Sequence, residues 1–142
     1  NFYNLVYREE ERDMLPLCRD AGIGVIPWSP LCRGFLGRKA ASALEKSSTR
    51  AQSDNVLDMQ FSEADVETLK RVEETGKKHG RSNAQIATAW LLHKGVTAPI
   101  VGASKMQHLE DAIAATQIRL TADEITYLEA PYLPKATAGN LR

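Results

Sequence analysis

The chain has 142 residues, 43% of them hydrophobic, and 18 lysines and arginines balance 18 aspartates and glutamates. That length suffices for one domain with a buried core. The charge balance gives no pull toward nucleic acid or anionic membranes, and no apolar run approaches a membrane span. Cys18 and Cys32 lack metal-ligand spacing and read as reduced thiols of a cytoplasmic protein. Residues 8–13 are charged, so no secretory leader is expected. The chain opens on Asn1, not methionine, and runs straight into apolar residues. A fragment or processed product is expected on that ground.

Residues 2–7, Phe-Tyr-Asn-Leu-Val-Tyr, suit a strand. Asp13 is placed to cap a helix carrying Met14, Leu15, Leu17, Cys18 and Ala21, with Pro16 tolerated in its first turn and Gly22 as its stop. Residues 23–27 form an apolar run that predicts a parallel strand covered on both faces. The segment 32–60 is long and rich in Ser, Arg and Ala, with Arg33, Arg38, Lys39, Lys46 and Arg50 making it basic. Loops of that length are either functional or solvated and floppy, and both readings stand at this point.

Ser62-Glu63-Ala64-Asp65 opens a helix in capping-box style, with Val66, Leu69 and Val72 as its apolar stripe and Gly80 as its stop. Ser82 and Gln85 make a second box for a helix that buries Ile86, Ala87, Trp90 and Leu91 and ends at Lys94-Gly95. Residues 97–101 read as a third strand. Ser104 and Gln107 then predict a box for a helix whose Leu109, Ala112 and Ile113 face the core. Thr121 and Glu124 make the last box, for a helix ended by Pro131, and an irregular tail follows from 132.

The corner around Ser104 is where the chain keeps its chemistry. Amides at a helix start, the helix dipole and Lys105 together make an anion site, most naturally for phosphate. The same pattern also fits an ordinary strand-to-helix corner with a solvated lysine. Alternation of strands and helices implies parallel strands with right-handed crossovers. Three such strands leave open edges, so the chain reads as part of a larger body.

Three motifs, Tyr3-Asn4-Leu5-Val6-Tyr7-Arg8-Glu9, Gly22-Ile23-Gly24-Val25-Ile26-Pro27-Trp28-Ser29-Pro30-Leu31 and Ala98-Pro99-Ile100-Val101-Gly102-Ala103-Ser104, resemble the aldo-keto reductases, most closely the aryl-alcohol-dehydrogenase-like branch. The resemblance extends through Leu109-Glu110-Asp111-Ala112-Ile113 to Leu128-Glu129-Ala130-Pro131-Tyr132. It implies an α/β fold, a partial (β/α)8 TIM barrel comprising roughly the last three β/α units and a C-terminal helix. The whole of 1–142 is then a single C-terminal portion of that barrel. It also implies NADP(H) binding in an extended form and reduction of aldehydes or ketones, aryl aldehydes among them, by hydride transfer.

Roles carry over by likeness. Trp28 matches the aromatic that stacks on the nicotinamide. Ser29, Leu31 and Arg33 match the loop along the pyrophosphate, where the Gly34 backbone approaches the cofactor. Thr49-Arg50 resembles the pair in the cofactor-covering loop, with Arg50 as a phosphate clamp. Gly102, Ala103, Ser104 and Lys105 match the segment at the adenosine-ribose phosphate, and His108 stands where a glutamine or arginine is common. Asp111 and Ala112 occupy the family's Glu-Asn pair around the adenine, a change expected to weaken its recognition.

The family's catalytic aspartate, tyrosine, lysine and histidine lie in earlier strands. Tyr3, Tyr7, Tyr127 and Tyr132 match none of them and read as packing or surface residues. The resemblance therefore implies the cofactor-binding portion of an NADP(H)-dependent oxidoreductase, inactive in isolation. The expected partners are the cofactor and either the missing N-terminal half or a second copy. The alternative is a truncated, non-catalytic half-barrel with a structural or regulatory role.

Overall fold

Three of the five α-helices found among the described residues start on the capping boxes that their sequences predict. The structure, a computed structural model, describes residues 1–43 and 61–137. Arg50, and with it the larger part of the expected cofactor-covering loop, lies outside the described residues. The helices are α1 Met14–Asp20, α2 Glu63–His79, α3 Asn83–His93, α4 Met106–Ala115 and α5 Ala122–Glu129. Helices α2, α3 and α5 each form the expected reciprocal box, Ser62 with Asp65, Ser82 with Gln85 and Thr121 with Glu124. Such a box satisfies two orphan amides at once. Gly22 and Gly80 take the left-handed conformation (φ 66° and 62°) that ends α1 and α2. Asp13 is the N-cap of α1 by position, but its side chain makes no capping bond.

Helix α4 departs from expectation. Its N-cap is Lys105, which makes no side-chain capping bond. The helix starts one residue later than the predicted box, so Gln107 falls at the second helical position and cannot reach back. It donates instead to Asp111 Oδ1 at 3.3 Å, while Ser104 Oγ lies 3.5 Å from His108 Nδ1. The predicted inward stripe fails too. Leu109 and Ile113 are exposed, Ile113 by 60%, and Ala115 is the buried residue of this helix. Helix α4 packs on α3, and Leu109 and Ile113 remain exposed beside that contact.

The expected strands reduce to extended segments joined by single bridges; among the described residues there is no continuous ladder. Phe2 bridges Trp28 in parallel, with Trp28 N donating to Asn1 O at 2.9 Å. Thr97 N donates to Val25 O at 2.8 Å and Ile100 N to Pro27 O at 2.9 Å, so these two segments also run parallel. Two prolines explain the broken ladder. Pro27 and Pro99 have no N–H to give. At Val25 O the Thr97 and Ala98 amides both converge (2.8 and 3.5 Å), a one-residue bulge that hands the next bond to Ile100 past Pro99. Gly24 leaves room for this pairing: a Cβ there would meet Thr97 Oγ1 at 2.9 Å, the oxygen that accepts from Val25 N. Residues 2–7 are no strand either. Asn4 and Tyr7 exchange backbone bonds at 3.1 Å, closing a turn over Leu5 and Val6.

Alternation decides what is covered. Val25 and Pro27 are buried, while Ile23 and Ile26 are each 58% exposed. The second segment is thus covered on one face, not the two that its unbroken apolar run predicts. The buried face meets a core that includes Trp90, Tyr3, Phe35, Leu5, Leu36 and Leu69. The start of the long loop joins this core through short 3-10 turns, Phe35–Gly37 and Ala40–Ser42, and Phe35 stacks on Phe61 at 3.8 Å. No helix among the described residues is long and apolar enough to cross a membrane.

Charged groups tie the chain's end to its beginning. Arg8 pairs with Glu11 at 2.7 Å and Glu129 at 2.8 Å. Lys94 reaches the same two carboxylates at 3.4 and 3.1 Å, and Trp90 Nε1 donates to Glu129 at 2.9 Å. Burial pushes the Glu11 carboxyl up, but hydrogen bonds from Arg8 and Tyr3 and the charges of Arg8 and Lys94 outweigh it and hold its pKa low. Glu9 is buried and accepts from Tyr132 Oη and from Lys135 N at 2.7 Å.

Candidate functional site

The residues expected at the cofactor fall into two groups that leave neighbouring parallel segments at the same end. The first is the loop 28–34. Trp28 closes its segment 39% exposed, with the Phe2 ring 4.5 Å from its own on one side. The chain then turns left-handed at Ser29 (φ 55°), Cys32 (φ 46°), Arg33 (φ 56°) and Gly34 (φ 90°). Only the glycine adopts this geometry without cost. Local bonds hold the turn. Ser29 Oγ accepts from Arg33 N at 2.9 Å, Ser29 O from Cys32 N at 2.9 Å, and Leu31 O from Gly34 N at 3.0 Å and Leu36 N at 3.1 Å. Arg33 and Gly34 are exposed and Leu31 is half-buried.

The second group is the corner 102–105 with the start of α4. Gly102, Ala103, Ser104, Lys105 and His108 are all exposed. Open space surrounds Gly102 where a side chain would stand. Lys105 enters no ion pair among the described residues. Its ammonium and the uncapped first amides of α4 give the corner a positive character. Asp111 is already engaged: Gln85 Nε2 donates to it at 2.8 Å from α3, and Gln107 shares the same oxygen. Asp111 and Ala112 are half-buried at the α3–α4 contact.

The tyrosines sit as packing residues. Tyr3 is fully buried and donates to Glu11 at 2.6 Å. Burial, then the bond to Glu11, pushes its pKa up. Tyr132 donates to Glu9, and burial with that bond raises it too. Tyr127 donates to Glu74, and Tyr7 is buried. Burial, followed by the nearby Asp65 charge, pushes the Cys32 thiol up to about 12. It is an inert core thiol under ordinary conditions.

Sequence reasoning missed Asn4. It lies inside a run read as strand, yet its side chain is fully buried and reaches the Ser29 carbonyl at 3.1 Å. The one available signal was a lone polar residue in an aromatic run, which is also a turn former.

Comparison with known proteins agrees with this arrangement of elements. The family model described as "Aldo/keto reductase family" matches residues 1–132. A Schizosaccharomyces pombe protein provisionally named an aryl-alcohol dehydrogenase is 45% identical over 142 residues, covering 99% of this chain and 40% of its own length. The versiconal hemiacetal acetate reductase of Aspergillus parasiticus is 44% identical, over 96% of this chain and 40% of its own length. Among solved structures, a thermostable aldo-keto reductase held with the inhibitor epalrestat superposes with a TM-score of 0.67 at 29% identity, over 92% of this chain and 38% of that one. The chain therefore belongs to the aldo/keto reductase family, and its likeness lies with the aryl-alcohol dehydrogenases within it. It spans about 40% of the length of the curated relatives it matches.

Proposed function

We propose that this chain is the cofactor-binding portion of a (β/α)8 oxidoreductase that uses NADP(H) to interconvert carbonyls and alcohols, aryl aldehydes among its substrates. The observation that carries the reading is the pair of loops at one end of adjacent parallel segments. One presents the face of Trp28, and the other presents Lys105 over the start of α4. The donor set fits a dinucleotide phosphate: an exposed lysine, a half-free helix start and a glycine with open space beside it. Trp28 supports one face of the nicotinamide, and Ser29, Leu31, Arg33 and Gly34 follow the pyrophosphate. Gly102, Ala103, Ser104, Lys105 and His108 hold the adenosine-ribose phosphate. The bound cofactor supplies the hydride; these residues orient it. Asp111 contributes to adenine recognition only by giving up its bond to Gln85, so adenine contacts are weak in this reading. The aryl preference rests on the names of the relatives, and a cytoplasmic location rests on the two free, buried cysteines.

The test is NADPH titration of the protein followed by fluorescence. Lys105→Ala is expected to weaken NADPH by about tenfold or more and NADH much less, since a charge-assisted bond to the 2′-phosphate is lost. Equal loss for both cofactors overturns the phosphate assignment. The chain alone is expected to give no NADPH oxidation with aromatic aldehydes, because the hydroxyls of Tyr3, Tyr127 and Tyr132 are each engaged as donors to a carboxylate and held protonated. Loss of general acid catalysis alone costs about 10²–10⁴ in rate.

A second reading is favoured by a separate observation. Ile23, Ile26, Trp28, Ile100 and Val101 stand exposed along the extended segments. Each is between 39% and 58% exposed, so covering one would contribute about half of the roughly 1.5–3 kcal/mol of a fully buried apolar side chain. A non-catalytic half-barrel that buries this face against a second copy, or against an N-terminal half, accounts for it. Sedimentation at rising concentration tests the second-copy form, and a stable monomer counts against it.

A further inference from the structure

The turn that carries the pyrophosphate residues is anchored by an amide from elsewhere in the chain. Asn4 is fully buried, and both ends of its carboxamide are bonded. Its Oδ1 accepts from Val6 N at 3.1 Å, and its Nδ2 donates to Ser29 O at 3.1 Å across 25 positions of sequence. The bonded carbonyl belongs to the first of the left-handed residues, Ser29, and it also accepts from Cys32 N, the second. Left-handed geometry at residues with a Cβ persists only where the surroundings impose it. An apolar residue at position 4 would fill the same core space without a polar group to satisfy. What the amide adds is a fixed carbonyl in a loop whose Trp28, Arg33 and Gly34 are exposed.

We infer that Asn4 is a positioning residue for cofactor binding: it holds the Ser29 carbonyl, fixes the left-handed turn 29–34, and so presents Trp28 and Arg33 to the nicotinamide and pyrophosphate. This rests on the cofactor reading given above. Asn4 touches no part of the cofactor itself and acts only through the turn.

The test uses the intact protein and NADPH as probe. Asn4→Ser keeps an acceptor for the Val6 amide but no longer reaches Ser29. Asn4→Asp keeps the size and replaces the donor with an oxygen. The expected result for folded Asn4→Ser is an about tenfold rise in the NADPH Kd, with faster hydrogen exchange at the Cys32 and Arg33 amides and unchanged exchange in α3. In a Ser29→Gly background, where glycine takes the left-handed geometry unaided, the same substitution is expected to raise Kd by only about twofold. Arg33→Ala serves as the gauge of the cofactor reading. If the unaltered protein binds NADPH and Arg33→Ala weakens it, yet folded Asn4→Ser binds like the unaltered protein, the positioning role is overturned and the cofactor reading stands. If the unaltered protein does not bind NADPH, both fall. If both Asn4 variants fail to fold, Asn4 holds the chain together and its positioning role is overturned.

Discussion

Gly76 sits in the last turn of α2, where a helical glycine ordinarily costs up to roughly 1 kcal/mol relative to alanine. Here the balance reverses. A Cβ at Gly76 would stand 2.7 Å from Arg81 O, a backbone atom that cannot swing aside. That carbonyl belongs to the connection into α3, whose Arg81 N donates back to Gly76 O at 2.8 Å. Gly76→Ala is therefore expected to destabilise by about 1–3 kcal/mol in urea unfolding, despite the better helix former. Glu9 shows the same inversion for charge. In sequence it is one of the charged run 8–13, but it is buried. Burial raises its pKa, and the bonds from Tyr132, Lys135 and Arg12 outweigh that and depress it below the ordinary glutamate value. A depressed folded-state pKa stabilises fully above the unfolded value of about 4.3 and loses that contribution as pH falls through the folded one. Glu9→Gln is expected to cost about 1.5–3 kcal/mol at pH 7 and to flatten the acid limb of a stability–pH profile. Neither residue's role was legible in sequence, because each depends on a contact made far along the chain or across a turn.

Caps were the most legible features, because their chemistry is local. Ser62, Ser82 and Thr121 all hold the boxes that their spacing predicts. Ser104 shared the same spacing with Gln107 and did not, since α4 starts at Met106 and Asp111 draws the glutamine along the helix. The contrast is measurable. Ser82→Ala is expected to cost about 1 kcal/mol, while Ser104→Ala is expected to fall within about 0.5 kcal/mol in the same denaturant series. Strands were legible as extended apolar runs but not as ladders. The prolines that break the pairing were visible in sequence; the bulge that bypasses Pro99 was not, because it depends on the Thr97 and Ala98 amides both turning toward the one Val25 carbonyl, 72 and 73 positions away in the chain.

The family and the arrangement of helices around parallel segments followed from motifs spread along the chain, and the family model matches residues 1–132. Which surfaces are covered did not follow. An amphipathic stripe in α4 announces a partner without naming where the partner lies, and the chain spans about 40% of its relatives' length. The stripe therefore read as core, while Leu109 and Ile113 stand open. Grouping of the expected site residues was half legible: the two loops share one end, but the tie from Asn4 to Ser29 crosses between segments that look independent in sequence. Pro99 has one more effect. Ile100 and Val101 are exposed on a segment whose backbone pairing, among the described residues, runs to 25–27 alone, and an unpaired apolar edge can template stacking of further chains. A residue without an amide hydrogen in the middle of that segment interrupts the template, so the defect that spoils the ladder within the molecule also guards its apolar rim against propagation.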